Sequence, residues 1–214
     1  GAVTYGAGSP GGTLNVVSKL PQEESRREMF VEYGSHSWRQ VGVDVTGSLD
    51  ARGTLLYRLV GVWRDSDSQV DHVPDNARAF APSLTWRPTD DTDLTVMLNF
   101  QRGETGTSTQ FLPWAGTILP GPNGQIPPNR FLSEPGWDRY DTEQKAVTAI
   151  FNHRFNTAWS VSARARFSDG QAEYDTMYPT FPPTINPDGR TIDRIAYMSD
   201  ASARIFAADL RVNG

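Results

Sequence analysis

Alternation with a period of two, sustained over long segments, constrains this chain more than any other feature. Over 159–168, Trp159, Val161, Ala163, Ala165 and Phe167 alternate with Ser160, Ser162, Arg164, Arg166 and Ser168. A helix would spread these arginines around its circumference, whereas a strand sets them on one face. The same period runs through Val41, Val43, Val45, Gly47 and Leu49, then Leu55, Tyr57, Leu59, Gly61 and Trp63. It returns at Phe80, Pro82, Leu84 and Trp86, and again at Leu94, Val96, Leu98 and Phe100, with polar residues between. The pattern predicts eight strands, near 27–35, 39–50, 54–67, 77–88, 93–104, 142–156, 159–174 and 195–212.

These strands are long. Globular strands usually run about five or six residues, while crossing a bilayer takes about 9–11 tilted ones. Several apolar sets end in an aromatic (Trp63, Trp86, Phe100, Trp159, Phe167), as the girdles of a membrane barrel do. Composition removes the competing classes. No apolar run is long enough for a spanning helix. The absence of cysteine excludes disulfide frameworks and thiolate chemistry. A net charge of −5 gives no basic face for nucleic acid. The many aromatics argue against disorder. An apolar share of 37 % is what results when half of each strand faces lipid and half a wet lumen.

The connections alternate in length. Residues 50–53, 88–92 and 156–158 are short, whereas 68–76, 105–141 and 175–194 are long. Short turns on one side and long loops on the other mark an outer-membrane barrel, with the long loops outside. Ten of the 15 prolines fall in 105–141 and 175–194, which keeps those segments out of the sheet. The opening at Gly1 and the closing turn dipeptide Asn213-Gly214 read as cuts within a longer chain.

The run Gly6-Ala7-Gly8-Ser9-Pro10-Gly11 has the letters of a dinucleotide fingerprint. That motif requires a helix after it, and here a short β-branched stretch follows, so we read a tight turn feeding a strand. Extended to Thr4–Lys19, the run resembles the end of the plug domain of TonB-dependent siderophore receptors. The similarity continues through Tyr57-Arg58-Leu59, Leu84-Thr85-Trp86-Arg87-Pro88 and Asp91-Thr92-Asp93-Leu94-Thr95. Phe111-Leu112-Pro113, Gly116-Thr117, Pro122-Asn123-Gly124, Ile126-Pro127, Phe131 and Glu134-Pro135-Gly136-Trp137 resemble the third external loop of ferrichrome-type receptors.

The resemblance implies an all-β fold: an antiparallel transmembrane barrel of about 22 strands around a plug. It assigns 1–22 to the end of the plug and 23–214 to the first strands of the barrel. These eight strands should form an open, curved sheet with two bare edges, and residues 1–20 should lie on its concave side. The implied function is binding and import of ferric siderophores, of hydroxamate or ferrichrome type, across a Gram-negative outer membrane. The partners are the chelate, outer-membrane lipid and the TonB complex, reached through the missing N-terminal part. No resident cofactor is implied. Haem or vitamin B12 are other cargoes of the same barrel class.

A ferric siderophore already has its iron ligated, so the receptor supplies aromatic faces and hydrogen-bond donors. In similar receptors the aromatic before Leu-Pro lines the external pocket, which here is Phe111. Trp114, Trp137, Tyr140 and Arg130 complete the candidate set, all read as parts of the loop 105–141. Arg58, Arg64, Arg87, Arg154, Arg164 and Arg166 point to the lumen, where the family pairs wall residues with the plug. Glu23, Glu24, Arg26, Arg27 and Glu28 form a charged link between plug and barrel.

Enzyme readings fare poorly: His36, His72 and His153 have no zinc-ligand spacing, and no serine sits in a nucleophile elbow. Asp65, Asp67, Asp71 and Asp75 miss the calcium-loop pattern. A rival of another class is a secreted or surface β-rich module that binds carbohydrate or mediates adhesion. It requires the apolar face to be buried against a second sheet.

Overall fold

The computed structural model describes residues 17–108 and 110–214. Eight antiparallel strands form one sheet in sequence order. They are β1 (Arg26–Tyr33), β2 (Arg39–Ser48), β3 (Leu55–Asp65), β4 (Asp75–Thr89), β5 (Thr92–Thr105), β6 (Arg139–Arg154), β7 (Ser160–Pro179) and β8 (Arg194–Asn213). β1 and β8 stand at opposite edges, so the sheet is open. The glycine-rich run and most of the segment expected on the concave side fall outside the described residues.

The strands lie where the alternation put them, but their upper ends differ. β6 begins at Arg139 rather than 142, and β7 continues to Pro179 rather than 174. The ladder persists there, from Arg139 opposite Asp175 to Pro179 opposite Arg194. Above the apolar stretch both faces are polar, so hydropathy loses its period while the backbone hydrogen bonds continue. The second and third external loops are correspondingly shorter than the sequence indicated, at 106–138 and 180–193, while the first is shifted to 66–74 at the same length. Arg26, Arg27 and Glu28 belong to β1 and not to a link.

Register brings the apolar positions of every strand onto one face. One row runs Gly47, Tyr57, Leu84, Val96, Ala149, Ala165, Ala208 across seven strands. The next, toward the short turns, runs Tyr57's neighbour Leu55, then Trp86, Leu94, Phe151, Ala163 and Leu210. Trp63, Phe80, Trp86, Phe100, Trp159 and Phe206 on this face are all exposed. A sandwich would bury such a face against a second sheet. Here there is one sheet, and the face is a lipid-facing band.

The opposite face is polar and carries the buried side chains Thr46, Arg58, Thr85 and Thr95. Arg58, only 4 % exposed, donates through Nε and Nη2 to Asp44 at 2.8 and 2.6 Å. Its Nη1 donates to the carbonyl of Leu20 at 3.0 Å. Lys19 adds a second cation to Asp44 at 3.0 Å, and the Gln22 N–H donates to the Thr46 hydroxyl at 2.9 Å. Residues 19–22 are thus strapped onto the polar face. Of the other arginines the sequence placed on this face, Arg64 pairs with Asp75 and Arg154 with Asp91, both at 2.6 Å. Arg64 also lies over the Trp38 ring at 4.9 Å.

Gly42 leaves room for a neighbouring ring. The ring of Phe30, its cross-strand partner on β1, occupies the space a Cβ would take. At the turn end, Asp50 accepts from the Thr54 hydroxyl at 2.6 Å, the Leu55 N–H at 2.9 Å and the Ser48 hydroxyl at 3.2 Å. These bonds, that from Thr54 foremost, hold its carboxyl below the usual carboxylate range.

Candidate ligand-binding grooves between two external loops

The loop 106–138 is long and built almost without regular structure, yet it is fixed at several points. At its neck the Asp138 carboxylate accepts from the Thr107 N–H at 2.7 Å, and the Thr107 hydroxyl donates to that of Thr176 on β7 at 2.6 Å. The Gln110 side chain donates to the Thr107 carbonyl and accepts from the Leu132 N–H, which ties the two limbs together. The Ser133 hydroxyl accepts from the Met177 N–H at 2.8 Å. Arg194, the first residue of β8, donates to the carbonyls of Leu132 and Ser133 at 2.9 and 2.8 Å and pairs with Glu134 at 3.0 Å. On the other side Asn129 donates to Asp71 at 2.9 and 3.0 Å, and the His72 and Phe131 rings meet edge to face at 5.7 Å. Loop ordering is costly, so this many contacts identify a preformed surface.

The second long loop, 180–193, leans on the first. The Asn123 amide donates to the Gly189 carbonyl, and between the loops lie two adjoining grooves. The larger, of about 800 Å³, is lined by Phe111, Trp114, Phe181, Pro182 and Ile185 among others. Among the described residues its lining includes no Asp, Glu, Lys or Arg. The smaller, of about 520 Å³, carries Arg130 and Arg190 and shares Pro113, Pro122, Ile185 and Gly189 with the first. Such concave, mostly apolar sites with a few polar groups suit small organic ligands.

The five sequence candidates separate into two groups. Phe111 and Trp114 line the larger groove and Arg130 the smaller. Phe111 stands at φ +46° and meets Phe181 edge to face at 5.5 Å and Tyr178 at 6.4 Å, so it both packs the loops together and faces the groove. Trp114 is 71 % exposed. Trp137 is half-buried in a turn, its N–H donating to the Glu134 carbonyl, and lines neither groove. Tyr140 is not a loop residue: it lies on β6, because the ladder continues above the membrane band. There it meets Tyr174 edge to face at 5.3 Å, and Tyr174 meets Tyr197 at 5.8 Å, a tyrosine series on the polar face below the loop neck.

Phe181, Pro182, Ile185 and Arg190 escaped the sequence reading. The apolar Phe181-Pro182-Pro183 in an external loop was the available signal, since a wet loop has no other use for it. The aspartates near the loop 66–74 do not gather: Asp71 serves Asn129 and Asp75 serves Arg64. Among the described residues no group of three or more His, Cys, Asp or Glu could hold a metal ion.

No protein-family model matches the chain. It is 36 % identical over 177 residues to the ferrichrome outer membrane transporter/phage receptor of Escherichia coli K12, covering 83 % of this chain and 24 % of that protein. It is 34 % identical over 177 residues to the ferrioxamine B receptor of Salmonella typhimurium SL1344, covering 83 % of this chain and 25 % of that one. The chain thus spans about a quarter of the length of the curated relatives it matches. Among solved structures, the closed form of the ferric-catecholate import receptor Fiu from E. coli K12 superposes with a TM-score of 0.86 at 20 % identity. That match covers 99 % of this chain and 32 % of Fiu, and shows the barrel fold. A lipid-facing eight-stranded wall, preformed external loops and these relatives agree: the chain belongs to the TonB-dependent outer-membrane siderophore receptors.

Proposed function

We propose that this chain serves a receptor that binds and imports ferric siderophores of the hydroxamate type, with energy from the TonB complex. In this reading 1–22 end the plug and 23–214 begin the barrel wall. The observation that carries it is the pair of grooves between the loops 106–138 and 180–193, held above a lipid-facing wall. Phe111 and Trp114 offer flat apolar faces to the organic shell of a chelate, and Arg130 offers donors to its oxygens. Trp137 and Tyr140 stand outside the grooves and support the loop and its neck. The iron arrives fully ligated as cargo, so the site needs no metal ligands of its own. The names of the ferrichrome and ferrioxamine B relatives support the hydroxamate class.

The test is tryptophan fluorescence of the full-length receptor during titration with ferric hydroxamates, beside TonB-dependent uptake of labelled iron. Saturable quenching is expected, and Phe111→Ala should weaken it about tenfold, as removal of an interface anchor does. If ferric hydroxamates neither quench nor enter the cell while haem or vitamin B12 does, the reading is wrong.

A further inference from the structure

The two grooves differ in charge. Three singly charged hydroxamates on Fe³⁺ leave an electroneutral centre. The larger groove, whose described lining has no ionisable side chain, suits such a centre, because a net charge placed there would be desolvated without a partner. The adjoining groove is different: Arg130 and Arg190 are its charged residues, and both are exposed.

Among the described residues, neither guanidinium pairs with a carboxylate, whereas Arg194 at the start of β8 is committed to Glu134. The nearest acid in sequence, Asp188, is turned into its own turn. It accepts from the Thr191 hydroxyl at 2.6 Å and from the Arg190 and Thr191 N–H groups at 2.9 and 3.0 Å. Thr191 foremost, these bonds hold its carboxyl below the usual range and leave the Arg190 side chain unengaged by it. Two arginines from two different loops, at one groove, make a charge-assisted seat for an anion. The shared wall of Pro113, Pro122, Ile185 and Gly189 places that seat next to the neutral groove.

We infer that the receptor prefers ferric hydroxamates bearing an appended carboxylate, the neutral iron centre in the Phe111 groove and the carboxylate between Arg130 and Arg190. This rests on the function proposed above.

The experiment uses the full-length receptor and three chelates with one iron centre: ferrioxamine B with its ammonium tail, its N-acetyl derivative and its N-succinyl derivative. Only the tail charge differs. Fluorescence quenching should rank the succinyl chelate first, by about tenfold over the acetyl one, with the ammonium chelate last. Arg190→Gln should cut the advantage of the succinyl chelate over the acetyl one from about tenfold to about threefold and leave the acetyl value unchanged. Heat-modifiable migration of the variant on gels reports that its barrel is intact. Equal affinity for all three chelates, or equal weakening of the acetyl and succinyl forms by Arg190→Gln, overturns the inference and leaves the hydroxamate reading standing. Binding of none of the three removes that reading, and this inference with it.

Discussion

The outward row Gly47, Tyr57, Leu84, Val96, Ala149, Ala165, Ala208 lies one residue from the inward row Thr46, Arg58, Ser83, Met97, Thr148, Arg166. One hydrogen-bonded ladder builds both. Outward, the requirement is only that the side chain be apolar, since lipid is a solvent without preferred contacts. Inward, buried polar groups meet partners at set distances: Arg58 meets Asp44 and Leu20, Thr46 donates to the Tyr57 carbonyl at 2.8 Å, Arg166 donates to Thr148 at 3.1 Å. The difference teaches that the outward face tolerates exchange within a chemical class, while the inward face tolerates little beyond the residue itself.

The largest test of that contrast is Arg58→Ala. It leaves Asp44 without its main partner and the Leu20 carbonyl without its donor, and should cost about 3–5 kcal/mol, as breaking a buried pair does. Urea unfolding of the lipid-embedded receptor measures it. Arg58→Lys should recover less than half, because a point charge cannot reproduce the bidentate contact. Next comes Leu84→Arg, which sets a charge in the lipid-facing band and should cost about 2–4 kcal/mol, whereas Leu84→Ile should be close to neutral. A costly Leu84→Ile would break the contrast.

Gly42→Ala is smaller, about 1–3 kcal/mol, from the clash with Phe30. The double variant with Phe30→Ala should be less destabilised than the two losses summed, so a double-mutant cycle reads the contact directly. The smallest effect belongs to the turn. Asp50 has a depressed folded-state pKa, so its contribution is present above the unfolded value of about 3.9 and is lost as pH falls through the folded value. Stability should therefore be flat from neutral pH to about 4 and then decline, and Asp50→Asn should make that acid decline shallower.

The same contrast explains what could be read before the fold was known. Gly47, Tyr57, Leu84, Val96 and Ala165 could each be assigned to the apolar face of its strand because period two is a local property, visible within any ten residues. Phe111 was named because its motif resembles that of known receptors, and Trp114 and Arg130 as aromatic and cationic members of the same loop; all three line the grooves. Tyr140 was misplaced because nothing local marks where a ladder outlasts its apolar band. Phe181 and Arg190 stayed hidden because their roles depend on a loop some seventy residues away, through contacts such as Asn123 on Gly189, which span 66 positions.

The sequence by itself determined the strands, their two faces, the side bearing the long loops and the family, since alternation and motif order are carried by neighbouring residues. Only the tertiary structure decided which inward arginine meets which carboxylate, how far the ladder climbs above the membrane and which two loops face each other. Those outcomes depend on register and packing between segments distant in the chain, where the energy of each contact is small and the geometry selects among many possible partners.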